Sequence, residues 1–135
     1  MRKFEVMGTP VAKGRPRVTK WGTYTPEKTV NYENLVQFSY LQQYKGLEPM
    51  QGYLKMEIYF LMPIVASTSK KRKQLMLERK ILPDKKPDID NCIKSITDAL
   101  NQLAYADDKQ IVEVHAYKYY SDEPRAVVMI SSIDI

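Results

Sequence analysis

At 135 residues the chain is long enough for one domain with its own core and too short for two ordinary ones, so a single domain is expected over residues 1–135. Hydrophobic residues at 44% and charged residues at 27% are the balance of a folded soluble protein and argue against a disordered one. A formal net charge of +5 favours an anionic partner, while one cysteine and one histidine exclude an internal disulfide framework and the usual Cys/His zinc site.

In chain order, Phe4 and Val6 alternate with Lys3 and Glu5, which predicts a half-buried strand ended by Gly8-Thr9-Pro10. A basic loop carrying Gly14 and Pro16 follows. Thr25-Pro26-Glu27 reads as a helix start with the threonine hydroxyl at the N-cap and proline at the first helical position. That helix is expected to reach about Tyr44 and to bury Tyr32, Leu35, Val36 and Tyr40. Tyr53 to Met62 sets Leu54, Met56, Ile58, Phe60 and Met62 against Lys55, Glu57 and Tyr59 at period two, the clearest strand in the chain.

Pro63 closes the strand, and Ser67-Thr68-Ser69 is placed to cap a short basic helix extending to about Lys80. Pro83 and Pro87 bracket an extended connector. From Asp90, helical spacing of Ile89, Cys92, Ile93, Ile96, Leu100 and Leu103 predicts a helix packed by one face on the core. Gln110 to Tyr120 alternates again, with Val112, Val114 and Ala116 on one side; His115, inside that pattern, is a structural residue on this reading. Ser121 to Pro124 is a turn, and Ala126 to Ile133 is expected as the hairpin partner of the preceding strand. The order predicts an α+β fold: a small mixed β-sheet with helices packed on one face.

The positive charge lies in two blocks. Lys13, Arg15, Arg17 and Lys20 fall in a stretch from Val6 to Pro26 that contains no acid, and Lys70, Lys71, Arg72, Lys73, Arg79, Lys80, Lys85 and Lys86 form the second. Such patches attract phosphate backbones without sequence preference, although a basic run alone is equally a solvated face. Ten tyrosines and Trp21 could stack on bases, but aromatic residues are more often core; Trp21, beside Lys20 in the basic loop, has the most suitable surroundings. No apolar run approaches the roughly 18 residues of a membrane span, and the N-terminus lacks a signal-peptide pattern, so a cytoplasmic location is expected.

Against this basic background stand Asp88, Asp90, Asp98, Asp107 and Asp108. Asp88 or Asp90 alone would read as a helix cap, and Asp107-Asp108 as a turn. Lys94, four residues after Asp90, would ordinarily be an exposed ion-pair partner. Two aspartates spaced i, i+2 on extended backbone aim their carboxylates the same way, however, and only one can cap. Asp88, Asp90 and Asp108 suffice to hold divalent metal ions through oxygen, and metal ions in turn neutralise and activate a phosphodiester. Lys94 would then orient water or stabilise an oxyanion at phosphorus.

Lys86-Pro87-Asp88-Ile89-Asp90-Asn91, Lys94, Asp98-Ala99-Leu100-Asn101 and Asp107-Asp108-Lys109-Gln110-Ile111-Val112 together resemble the signature of the RusA family of Holliday-junction resolvases. Gly8-Thr9-Pro10-Val11-Ala12-Lys13-Gly14-Arg15-Pro16-Arg17 is similar to the start of many phage and prophage members. The resemblance implies a homodimeric, magnesium-dependent endonuclease, with manganese as a substitute, that nicks four-way DNA junctions symmetrically in recombination and repair. It places the metal-binding acids at Asp88, Asp90 and Asp108 and the essential lysine at Lys94, and leaves the role of Asp107 open. DNA contacts are expected from Lys13, Arg15, Arg17, Lys70, Lys71, Arg72, Lys73, Lys85 and Lys86. The alternatives are a non-catalytic junction- or duplex-binding protein whose acids are structural, and a basic interaction protein for RNA or another acidic partner.

Geometry adds one expectation. The helix after Asp90 carries the chain away, and the short segment from Leu103 to Asp108 must run fully extended to return. One subunit therefore struggles to bring Asp108 to Asp90, whereas antiparallel two-fold pairing would place Asp108 of one chain beside Asp88 and Asp90 of the other.

Overall fold

Leu54, Met56, Ile58, Phe60 and Met62 all turn inward from one strand, and that strand is the middle of the molecule. In a computed structural model describing residues 1–134, the elements are β1 (Arg2–Met7), β2 (Arg17–Thr19), β3 (Gly22–Tyr24), α1 (Glu27–Tyr44), β4 (Leu54–Pro63), α2 (Lys70–Leu77), α3 (Ile89–Leu100), β5 (Ile111–Ser121) and β6 (Arg125–Ser132). Four strands form a mixed sheet in the order β1-β6-β4-β5, and β2 pairs with β3 in a separate two-stranded sheet. The fold is α+β, as expected.

β4 runs parallel to β5 and antiparallel to β6, and β6 runs antiparallel to β1. The parallel pair follows from the two helices between β4 and β5, which carry the chain back to the starting end. β5 and β6 are consecutive but not a hairpin, contrary to the sequence reading. β4 lies between them, and Asp122-Glu123-Pro124 steps across it. Alternation identified the four strands of this sheet but carries no information about which neighbour completes their hydrogen bonds, and it missed β2 and β3 in the stretch that reads as a basic loop.

One sheet face is covered by α1 and α3. Phe4, Val6, Val128 and Ile130 meet Tyr32, Val36, Tyr40, Ile96 and Leu100 there in one apolar cluster. α2 instead packs near β5, and Arg79 just beyond it lies 3.9 Å from the centroid of the Tyr119 ring. Tyr119 stacks with Tyr117, which is paired in register with Tyr59. These tyrosines alternate with the buried residues, so they belong to the opposite face. The one-face description thus holds for α1 and α3 and fails for the segment after α2.

Local details correct the sequence reading further. Pro26, not Thr25, is the N-cap of α1, and no side chain caps it. Leu35 is 38% exposed, on the edge of the apolar stripe. Ser69 caps α2 by accepting from the Arg72 N–H, as expected, but the helix ends at Leu77 because Arg79 takes a positive φ of 63°. Ile89 is exposed at the first turn of α3, whereas Cys92, Ile96, Ala99 and Leu100 are buried. Val112 and Val114, in the first half of the edge strand β5, are exposed too. Ala104 and Tyr105, assigned to no element, are fully buried, and the Tyr105 hydroxyl donates to the Thr97 carbonyl at 2.7 Å.

Candidate active site

The start of α3 is held from the sheet. Lys118 on β5 donates from Nζ to the carbonyls of Lys85 at 2.7 Å and Pro87 at 2.8 Å, pinning the connector where it enters the helix. Asp88 follows at the N-cap with extended backbone, but its side chain makes no capping hydrogen bond. Only its carbonyl serves the helix, accepting from the Cys92 N–H at 3.1 Å. The ordinary reading of Asp88 as a cap is therefore not fulfilled, and its carboxylate remains exposed to solvent. Asp90 is in the first turn, also exposed. Lys94 stands one turn further on, exposed, and makes no ion pair among the described residues.

The other end of α3 holds the second pair of acids. Asp107 caps a 3-10 turn, Asp108–Gln110, in a reciprocal capping box with Gln110, and its Oδ1 accepts from the Lys109 N–H at 2.9 Å. That hydrogen bond, with the charge of Lys109, holds the Asp107 carboxyl below the usual range. Asp107 thus has a structural task. Asp108 is exposed, and its backbone N–H donates to Asn101 Oδ1 at 2.9 Å. Desolvation, then the hydrogen bond and charge of Asp107 and the charge of Asp98, push the Asp108 carboxyl up.

The two ends stay apart. α3 has 12 residues, a rise of about 18 Å. Among the described residues, no three His, Cys, Asp or Glu side chains gather as a metal-binding group. Asp88 and Asp90 lie together at one end, and Asp108 does not join them within the chain.

The chemistry of the donors suits a hard cation. His115 is 2.7 Å from Glu113 on the exposed edge of β5, and Cys92 is buried. Burial, opposed by Lys118 and reinforced by Asp88 and Asp90, pushes its thiol up to about 11. What the acid pair offers solvent is carboxylate oxygen alone, which fits magnesium with waters completing its shell.

Beside the acid pair lies a cavity of about 830 Å³ whose lining includes Arg15, Arg17, Lys28, Lys86, Asp88 and Asn91. Four cations and one of the unspent carboxylates thus share a surface. Lys28 had no part in the sequence reading, and Asn91 entered it only as the last residue of the Lys86–Asn91 motif, with no role of its own. Asn91 also fixes the basic loop, its carbonyl accepting from the Lys13 N–H at 2.8 Å. The Lys13 ammonium is already committed, 2.7 Å from Glu33 and 3.4 Å from Asp98. Partial burial opposes its charge, but these two acids raise its pKa above the ordinary lysine range. Lys13 therefore holds the loop against α1 and α3. Lys70, Lys71 and Arg72 are exposed on α2, Lys73 is 3.1 Å from Asp122, and Lys85 and Lys86 are exposed on the connector.

Comparison with known proteins shows the family of the chain. Residues 7–131 match the family model described as endodeoxyribonuclease RusA. The chain is also 39% identical over 136 residues to the uncharacterized protein YqaN of Bacillus subtilis (strain 168), covering 97% of this chain and 96% of that one. Among the described residues, no helix is long and apolar enough to cross a membrane.

Proposed function

Since the chain belongs to the RusA family of endodeoxyribonucleases, we propose that it is a magnesium-dependent, structure-specific nuclease that resolves four-way DNA junctions in recombination and repair. The observation that carries this reading is the free carboxylate of Asp88, at a helix N-cap it does not cap and in the wall of a groove lined by Arg15, Arg17, Lys28 and Lys86.

These cations hold the phosphate backbone, and the groove brings it past Asp88 and Asp90. Both carboxylates would bind magnesium, which, when bound, neutralises the nonbridging charge and lowers the pKa of a coordinated water. Lys94, on the same helix and in no ion pair among the described residues, would orient the attacking water or offset negative charge developing at phosphorus. Asp107 stays outside the chemistry and shapes the turn that presents Asp108.

A complete set of three acids requires a second copy on this reading. In a two-fold homodimer Asp108 of one subunit would stand beside Asp88 and Asp90 of the other, giving two centres for symmetric nicks. The separation along α3 supports this, as does the uncovered edge strand β5, which leads directly from Asp108 and exposes Val112 and Val114.

The test is incubation of the purified protein with labelled four-way junction, fork and duplex DNA, with and without magnesium. Metal-dependent paired nicking of the junction is expected; no metal-dependent cutting of any substrate would overturn the proposal. Asp90→Asn separates it from a purely binding role: cleavage should be lost with DNA binding kept or strengthened, whereas a binding module would behave unchanged.

A further inference from the structure

Trp21 is 86% exposed at the end of a hairpin that has no role in building the core. β2 and β3 pair Arg17 with Tyr24, Val18 with Thr23 and Thr19 with Gly22, leaving Lys20-Trp21 as the two-residue turn. The turn is fixed rather than loose. Gly22 supplies a φ of 128°, and Thr19 Oγ1 accepts from the Trp21 N–H at 3.2 Å while donating to the Gly22 carbonyl at 3.1 Å. All six strand residues are exposed, including Val18 at 80% and Tyr24 at 51%.

An indole this exposed on an ordered turn buries little area within the fold and leaves its faces open to a partner. Its surroundings select the partner. Arg15, Arg17 and Lys20 lie in a stretch without an acid, and the Lys20 ammonium is 5.0 Å from the centroid of the Trp21 ring. A flat apolar surface beside positive charge matches a nucleobase flanked by phosphates better than an apolar protein surface. The base of the hairpin, at Arg15, Pro16 and Arg17, is also part of the groove wall that includes Asp88.

We propose that Trp21 is a base-stacking residue: the β2–β3 hairpin reaches from the groove to the branch point and stacks its indole on an unpaired or unstacked base while Arg17 and Lys20 hold the adjoining phosphates. This rests on the reading of the groove as a DNA surface. It assigns recognition of branched over continuous DNA to a residue separate from the acids. Duplex DNA, whose bases are already stacked, offers the indole no free face.

Trp21 is the chain's single tryptophan, so its fluorescence reports this contact directly. The full-length Asp90→Asn protein would be titrated in magnesium with a four-way junction, an oligothymidine single strand and a perfect duplex, with binding followed in parallel by gel shift. Junction and single strand should quench the emission and the duplex should hardly change it. Trp21→Ala should weaken junction binding about tenfold and duplex binding much less, with Trp21→Phe retaining most of the affinity. Emission unchanged at saturating junction, or an indole already shielded from iodide without DNA because a second copy covers it, would overturn the inference. Cleavage by the unmodified protein separates the two readings: quenching without metal-dependent cutting leaves the stacking role standing and removes the nuclease, while cutting with a silent Trp21 does the reverse.

Discussion

The backbone N–H of Asp108 donates to the side-chain oxygen of Asn101 at 2.9 Å, tying the turn that presents Asp108 to the residue that ends α3. The position of this acid is thereby fixed relative to the helix whose other end carries Asp88 and Asp90. Asn101→Ala should cost about 1 kcal/mol of stability or less and loosen Asp108. Nicking should fall roughly tenfold, a loss of about 1.4 kcal/mol in transition-state stabilisation, with DNA affinity retained. Single-turnover cleavage and gel shift on the same preparation check this; unchanged cleavage would mean that Asp108 needs no such anchor.

Lys118 holds the connector by two carbonyls immediately before Asp88. Lys118→Met should therefore raise the magnesium concentration for half-maximal nicking by about tenfold, the lower end for residues that position metal ligands. The rate at saturating magnesium should largely recover. A magnesium titration of both proteins decides it, since general destabilisation would lower the plateau without moving the midpoint.

Arg17 is exposed in the groove wall. Arg17→Ala should weaken binding to junction and duplex alike and reduce the slope of log affinity against log salt by about one. Binding measured at several salt concentrations checks this, and an unchanged slope would remove Arg17 from the phosphate contacts.

Cys92 is fully buried, and burial foremost pushes its thiol up to about 11. At pH 8 very little thiolate forms and reagent has no access, so the native protein should react with a disulfide reagent at least about 100-fold more slowly than the protein in denaturant. Equal rates would show that the first turns of α3 open readily.

The sheet's residues were legible because burial on one face imposes period two, as Leu54 to Met62 show without ambiguity. Its pairing was not. β5 and β6 alternate as a hairpin would, and only the tertiary fold inserts β4 between them. The β2–β3 hairpin escaped notice because a strand exposed on both faces has no alternation to read. Ala104 and Tyr105 are buried just after a helix, where neither periodicity applies. At the candidate site, the i, i+2 spacing of Asp88 and Asp90 stood out in the sequence, whereas Asp108 was assigned over Asp107 through the family resemblance. The capping role of Asp107, the anchoring of Asp108 by Asn101 and the commitment of Lys13 to Glu33 and Asp98 depend on hydrogen bonds and ion pairs between distant segments, which spacing does not encode.

The most direct measurement mixes two inactive proteins, Asp90→Asn and Asp108→Asn, by refolding them together and assaying a four-way junction in magnesium. If the centre is built from both subunits, half the dimers are hybrids and each has one intact centre, so roughly a quarter of the wild-type nicking should return, as single rather than paired cuts. No recovery, with hybrid dimers demonstrated in the mixture, would contradict a centre shared between Asp90 of one subunit and Asp108 of the other.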